Sequence, residues 1–485
     1  MEKLDDPVRQ RRSSPVAAAR TAGDTGTPAG GETVGLRSFL GRHERAAFVL
    51  LLVVGLMARV VWVSQHERLG PMICESYQAA ICFARTGGIC DTYLPGQGLT
   101  ATATPVMPVI DGLVYRAFGV GSRASEMVLT AFSLTFLCAT LLALYLAFRR
   151  LRLAVEWRLA ALAAALLLPI NFKWETVSMR LFEGGMAAAL LAVSLLLVLR
   201  LDASREPLRP RDFSLPAVLV GFLALINPPA ALGAYGALGV LTLKRVPMRR
   251  WLGVALVMAV GLAVFIAPWG LRNERVFGRL ILTRSNFPLE HAIGFHSEAV
   301  SPANPAAVFV RRGAAIHPYS SDPASPGRAE FARIGELAYM DRLAAETTAW
   351  ERAHPLDTVR LAARHLVEFW LPPRWSWTIF GNAAPLVLTR QAFIWATTLA
   401  AFAAIVWRLV QAPLGPGLYL ACVLLIPSLP YALVQPVQRY RYLVVVLTYF
   451  LAADFAARVA AYVAKRRLSR QVTPRPPIAG KRTYS

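Results

Sequence analysis

Glu75 stands first among the residues of this sequence that could do chemistry. It follows Pro71-Met72-Ile73-Cys74 and opens a helix-like run, Ser76 to Arg85, in a polar stretch between apolar segments. A carboxylate placed there could act as a base, because partial loss of water raises its pKa toward the working range, while the dipole of the helix it begins opposes that rise. The plainer reading is an acidic residue that only stabilises the first turn of a helix. Beyond it lie Gly96-Gln97-Gly98-Leu99-Thr100-Ala101 and Pro105-Val106-Met107-Pro108, a Thr- and Pro-rich loop that could bring a water-soluble acceptor to a lipid-linked substrate beside Glu75 and Tyr77.

Three further groups carry charge. Lys173-Trp174-Glu175 with Arg180 and Glu183 crowds a short turn, where charges beside hydrocarbon are costly unless paired or solvated; marking the water boundary is the simpler account. Arg272-Asn273 follows Pro268-Trp269 and precedes Arg284, Asn286 and Glu290, and Arg439-Tyr440-Arg441-Tyr442 opens the last apolar span. Guanidinium forks match phosphate oxygens, so these arginines suit an anionic ligand, with lipid headgroups as the alternative.

The elements that must position these residues are membrane helices. The chain has 485 residues, of which 55% are hydrophobic and 17% charged, and its mean hydropathy is +0.45. Those values exclude an ordinary soluble globule. A bilayer core of about 30 Å asks for roughly 20 apolar residues per helix, and segments 46–64, 126–148, 181–200, 251–269, 391–410 and 438–464 meet that length. The 29 residues from Leu215 to Leu243 are basic at both ends, which predicts a tight in-and-out hairpin turning at Asn227-Pro228-Pro229. With a span at 157–172 the count reaches about ten, while 104–120, carrying Pro105, Pro108 and Asp111, reads as an interfacial or re-entrant helix. The fold class expected is therefore an all-α polytopic membrane protein with about ten transmembrane helices, interfacial helices in the first outer loop and a small extracytoplasmic helical cap.

The net charge of +23 does not point to nucleic acid. Arg9, Arg11 and Arg12, Arg149, Arg150 and Arg152, Lys244, Arg245, Arg249 and Arg250, and Lys465 to Arg467 sit in tails and short turns, the positive-inside pattern, which puts both termini in the cytoplasm. The division expected is a disordered tail at 1–40, a membrane module at 41–270 including the first outer loop 65–125, an outer cap at 271–390, further membrane helices at 391–464 and a basic tail at 465–485. The Pro/Arg-rich stretch after Ser469 reads as disordered as well. In the cap, Glu330 to Arg352 reads as helix and Ser320-Ser321-Asp322-Pro323 as a turn.

Cys74, Cys82 and Cys90 cluster in the first outer loop. A helix would hold Cys74 and Cys82 about 12 Å apart, too far to bond, whereas Gly87-Gly88 could fold Cys90 back onto either one. Three buried thiols are the alternative, and zinc is disfavoured because the nearest histidine is His66. No P-loop, Gly-x-Ser-x-Gly, His-Glu-x-x-His or Cys-x-x-Cys motif is present, so nucleotide, haem and iron cofactors have no support.

Over about 46–464 the chain resembles the bacterial polyprenyl-phosphate-dependent C-type glycosyltransferases, of the protein mannosyltransferase and aminoarabinose transferase kind (family 39). The matching stretches include Glu75-Ser76-Tyr77-Gln78-Ala79-Ala80 with Gly87-Gly88, Thr102-Ala103-Thr104-Pro105 with Phe118-Gly119, and Trp174-Glu175-Thr176. Leu225-Ile226-Asn227-Pro228, Pro268-Trp269-Gly270-Leu271-Arg272-Asn273, Arg284-Ser285-Asn286-Phe287 and Arg439-Tyr440-Arg441 follow in order. The resemblance implies a cavity at the outer membrane face and transfer of a sugar, with inversion, from a polyprenyl-phosphate donor to an extracytoplasmic hydroxyl on a glycolipid, polysaccharide or protein. It makes Glu75 the base, where many relatives carry an aspartate, often in an acidic pair. Arg272, Arg441, Arg284 and Arg180 become the candidates for donor phosphate, and Tyr77, Glu175, Asn286 and Glu290 for the rest of the substrate. No metal is assigned, though a divalent ion is left open as cofactor. The location expected is the bacterial inner membrane, the site facing outward. A lipid-linked saccharide flippase or transporter, a polysaccharide polymerase and a non-catalytic scaffold of the same fold are the competing readings, although no internal repeat of the transporter kind is evident.

Overall fold

The computed structural model of the protein describes residues 38–66, 74–170, 172–173, 175, 179–319, 322, 324–377 and 387–472. Residues 1–37 of the expected disordered N-terminal tail and the chain after 472 lie outside these residues, as do Pro71-Met72-Ile73, Trp174, Thr176, Ser320, Ser321 and Pro323; residues 38–40 and 470–472, expected to be disordered, are helical. Among the described residues the regular structure is helical apart from a single β-bridge, Cys90 to Leu99.

Among the described residues, six helical stretches are long and apolar enough to cross a membrane: Glu44–Trp62, Arg123–Arg150, Gly184–Asp202, Met248–Phe277, Val387–Gln411 and Gln438–Arg467. They coincide with the six segments that hydropathy singles out. They belong to helices α1 (Glu44–His66), α4 (Arg123–Arg150), α6 (Gly184–Asp202), α9 (Trp251–Phe277), α16 (Val387–Gln411) and α18 (Tyr442–Val472). The expected count of about ten is reached only by adding shorter apolar pieces, namely α5 (Val155–Leu167), the hairpin α7 (Ser214–Ile226) and α8 (Pro228–Arg245), and α17 (Gly417–Leu425) with its 3₁₀ extension to Leu433.

The hairpin turns at the tandem prolines. Asn227 caps α8, its Oδ1 accepting the Ala230 N–H at 3.0 Å, and Pro228 and Pro229 occupy the first helical positions, where an N–H would have no partner. Where α7 crosses α9, Gly221 and Gly261 let the backbones touch, since a Cβ on Gly221 would strike the Gly261 carbonyl and one on Gly261 the Ala217 carbonyl. α9 runs to Phe277, so Arg272 and Asn273 sit on its last turns rather than in a loop.

Between α1 and α4, in the loop expected at the outer face, lie α2 (Glu75–Thr86) and α3 (Val106–Phe118), packed on each other. α2 stops at Gly87, whose φ of 76° is left-handed, and the chain turns back so that Cys90 bonds Cys82 while Cys74 stays free. α3 buries Asp111 completely, with neither carboxylate oxygen hydrogen-bonded. Burial first, and then the nearby charge of Glu126, push its carboxyl well above the ordinary range, although Arg180 pulls the other way.

The cap comprises α10 (Phe287–Gly294), α11 (Ser297–Val300), α12 (Pro305–Ile316), α13 (Pro326–Ile334), α14 (Glu336–Ala353) and α15 (Pro355–Trp370) around Leu289, Ile293, Phe331, Tyr339 and Leu343. The single helix read from Glu330 to Arg352 is broken at Gly335, whose φ of 82° no β-substituted residue adopts easily. Glu336, at the start of α14, joins cap to outer loop: its carboxylate accepts from Gln97 Nε2 (2.9 Å), Thr100 Oγ1 (2.6 Å), the Ala101 N–H (3.0 Å) and Ser285 Oγ (2.6 Å).

Candidate functional site

That junction of outer loop, cap and membrane helices encloses a cavity of about 350 Å³. One wall is the start of α2 and the loop segment Thr102-Ala103-Thr104; the floor is the hairpin tip, Ile226 to Pro229; the cap contributes Arg284, Asn286 and Glu290; and the turn ahead of α18 contributes Arg439 and Tyr440.

Glu75 reaches the cavity from the first turn of α2, the place its sequence position predicts. One carboxylate oxygen, Oε1, lies 3.0 Å from His317 Nε2, at the end of α12. Burial would raise the Glu75 carboxyl, but the His317 hydrogen bond and the charges of His317, Arg439 and Arg284 outweigh it and hold the group below its ordinary value. Glu290 moves the other way: burial and the Glu75 charge lift it in spite of His317, Arg439 and Arg284. Two carboxylates facing one cavity are thus shifted in opposite directions, Glu75 down and Glu290 up.

Two guanidinium groups face the same space. Arg284 pairs with Glu183 at 2.6 Å, and Arg439 lies 4.0 Å over the Phe182 ring and 5.5 Å from that of Tyr440. Of the residues that the sequence singles out, the structure brings Glu75, Arg284, Asn286 and Glu290 to one cavity. The other five lie elsewhere. Arg272 donates to the carbonyl of Thr100 (2.8 Å) and to Asn273 Oδ1 (2.8 Å), tying α9 to the outer loop. Arg180 pairs with Glu126 at 2.8 Å, Glu175 with Arg59 at 2.6 Å, and Arg441 is buried against Thr398 of α16. Tyr77 packs edge-on against Tyr115, their centroids 5.6 Å apart.

His317, Glu183 and Asn227 line or complete the site without having been assigned to it, and Arg439, which the sequence offers among its anion-suited arginines, lines the cavity where Arg441 was expected. Arg439 and Arg441 look alike in sequence. The 3₁₀ turn Gln438–Arg441 separates them: about 120° per residue sends side chains two positions apart to different sides. His317 is isolated in a polar region of the cap, and no local pattern links it to Glu75.

The residues present do not fit a divalent ion. Glu75 and His317 hold each other, Glu183 is held by Arg284, and no group of three His, Cys, Asp or Glu side chains among the described residues is arranged to bind a metal. The step derived below therefore passes through none.

With this geometry in place, the fold can be set beside known ones. The sequence matches no family model and no curated protein. The fold is similar to that of the Archaeoglobus fulgidus oligosaccharyltransferase in its apo form, with a TM-score of 0.50 at 13% identity over 90% of this chain and 52% of that one. It is also similar to the archaeal oligosaccharyltransferase AglB from the same organism, in complex with an inhibitory peptide and a dolichol-phosphate, with a TM-score of 0.49, 13% identity and coverage of 90% and 53%. For ArnT from Cupriavidus metallidurans in the apo state the TM-score is 0.35 at 16% identity, covering 90% of this chain and 82% of that one. The chain spans about half the length of the oligosaccharyltransferases. At such identities the likeness defines the fold, a polytopic helical membrane architecture, and leaves the activity to be argued from the site.

Proposed function

We propose that the protein is a membrane glycosyltransferase that moves a sugar from a polyprenyl-phosphate donor to an acceptor hydroxyl, with Glu75 as base. The observation that carries this reading is the joint exposure of an ionised carboxylate, Glu75, and two guanidinium groups, Arg284 and Arg439, to one cavity at the outer loop. The acceptor oxygen attacks the anomeric carbon as the bond from that carbon to the phosphate oxygen breaks on the opposite face, so the configuration inverts. The acceptor's proton passes to Glu75, and the electron pair of the broken bond leaves on the lipid phosphate, whose charge Arg439 and Arg284 stabilise. Asn286 and Glu290 are placed for hydroxyls of the sugar or acceptor.

Helix directions support an outward-facing site. α6, α8 and α18 begin at the cavity with Gly184, Pro228 and Leu443 and run to basic ends at Arg200, Lys244-Arg245 and Lys465 to Arg467. Basic helix ends are enriched in the cytoplasm, which supports a cavity at the opposite face, that of the periplasm if the membrane is a bacterial inner membrane.

The test is transfer of labelled sugar from membranes loaded with polyprenyl-phosphate sugars, comparing the wild type with Glu75→Gln at matched expression. The expected outcome is transfer by the wild type and loss of at least about 100-fold in the variant with donor binding retained. Equal transfer by both removes Glu75 as base. Absence of transfer by the wild type across a broad donor panel favours the transporter or scaffold reading.

A further inference from the structure

The cap supplies the cavity with one group that the reaction as written does not use. His317 follows α12, its backbone N–H closing on the Gly313 carbonyl at 2.8 Å, and its ring is fixed from three sides. The Tyr319 N–H donates to Nδ1 at 3.1 Å, Tyr93 packs edge-on with centroids 5.4 Å apart at 86°, and Nε2 meets Glu75 Oε1 at 3.0 Å. A backbone N–H can only donate, so Nδ1 must be the accepting nitrogen and the ring proton of the neutral form sits on Nε2, pointing at the carboxylate.

We propose that His317 is the positioning residue of Glu75: its Nε2–H holds Oε1 and leaves Oε2 as the oxygen that receives the acceptor's proton. The inference rests on Glu75 being the base. The cap thereby completes the site, because α2 alone would leave a flexible glutamate side chain free to rotate among its rotamers. The balance of the step is unchanged: the proton lands on Oε2, and Oε1 keeps accepting from Nε2–H, so His317 neither gains nor loses a proton. Burial disfavours a charged His317, yet Glu75 and Glu290 together raise its pKa, while the Tyr319 amide opposes a second ring proton; in either protonation form Nε2–H is the donor to Oε1. The other titratable or charged groups facing Glu75 are Arg439 and Tyr440 ahead of α18, Arg284, Glu290 and Tyr319 in the cap, Tyr93 in the outer loop and Cys74 beside it, and all of them remain when His317 is replaced.

The test compares wild type, His317→Phe, His317→Ala and His317→Gln in lipid nanodiscs. Two readouts are taken: the pH profile of kcat/KM, and the protonation midpoint of Glu75 from its infrared carboxyl band, identified by its absence in Glu75→Gln. Phe keeps the edge contact with Tyr93 but offers no donor, so either it or Ala suffices if the other fails to fold. Removing the donor raises the Glu75 pKa, so the expected result is an acid limb and an infrared midpoint displaced toward neutral pH by about one unit, with Gln, which restores a neutral N–H donor, recovering most of the shift. A midpoint unmoved in the Phe or Ala variant, or no recovery in Gln, overturns the proposal. Because the infrared midpoint needs no turnover, it reports on His317 even if transfer by the wild type is not found, which keeps failure of this inference separate from failure of the glycosyltransferase reading.

Discussion

Arg439 and Arg441 stand two positions apart and do different work, a division the side-chain surroundings make measurable. Arg439 faces the cavity, its guanidinium over the Phe182 ring, whereas Arg441 is 4% exposed and hydrogen-bonds Thr398, tying α18 to α16. Arg439→Ala should therefore weaken donor binding by about 10- to 100-fold, the loss of one charge-assisted phosphate contact, and leave the melting temperature within a few degrees of wild type. Arg441→Ala should do the reverse, lowering the melting temperature by several degrees while the folded fraction binds donor normally. Donor titration by fluorescence or calorimetry, paired with thermal unfolding in detergent, separates the two; donor loss in Arg441→Ala with no loss in Arg439→Ala would return the phosphate role to Arg441. Sequence reading picked out the motif but not its facing member, because that depends on a 3₁₀ turn whose register is not written in composition. Glu75 was legible because a lone acid opening an amphipathic run in a polar loop has few other places to be. His317 was not, since its relation to Glu75 is made by tertiary packing between the outer loop and the cap.

The hairpin shows how helix packing reaches the site. Its tip, Asn227 to Pro229, forms part of the cavity, and its height is set by the crossing of α7 and α9 at Gly221 and Gly261, where main chains meet without side chains between them. Tandem prolines and flanking basic residues made the hairpin readable in advance, while the glycine crossing had no local signature, because close approach is a property of two segments. Gly261→Val is expected to push the helices apart by the width of a side chain and move the floor of the cavity. The predicted result is a loss of about 1–3 kcal/mol in stability, typical of overpacking, together with a KM for donor raised more than kcat is lowered. Thermal unfolding and steady-state kinetics on the same preparation check this; unchanged stability would mean that α7 and α9 slide freely and that the tip is positioned by something else. The Glu336 junction works similarly on the other wall, where one carboxylate with bonds to Gln97, Thr100, Ala101 and Ser285 holds the loop residues that flank Arg284.

Buried charge is found at the junction of loop and cap, around the cavity, and between the helices of the bundle, which it holds together. Glu175 tests the distinction, because the resemblance makes it a substrate-binding residue while the structure pairs it with Arg59, which is fully buried. Arg59 also donates to the carbonyls of Gly55 (2.9 Å), Leu166 (2.7 Å) and Ala165 (2.9 Å), and the Glu175 carbonyl accepts from Ser133 at 2.6 Å, so one pair joins α1, α4 and the end of α5. An arginine in this setting is tolerable only while its charge is matched. Glu175→Gln should thus cost about 3–5 kcal/mol, the penalty of leaving a buried charge without its partner. Replacing both residues, Glu175→Gln with Arg59→Met, removes the unmatched charge and should restore a large part of the loss, an outcome that a direct contact between Glu175 and sugar does not predict. Unfolding in detergent measures the stability of the single and double variants, and donor KM at a temperature where each is folded measures the site. If stability is untouched in Glu175→Gln and KM rises, Glu175 belongs to the substrate after all; if stability falls and returns in the double variant with KM constant throughout, it belongs to the frame that keeps α1, α4 and α5 together.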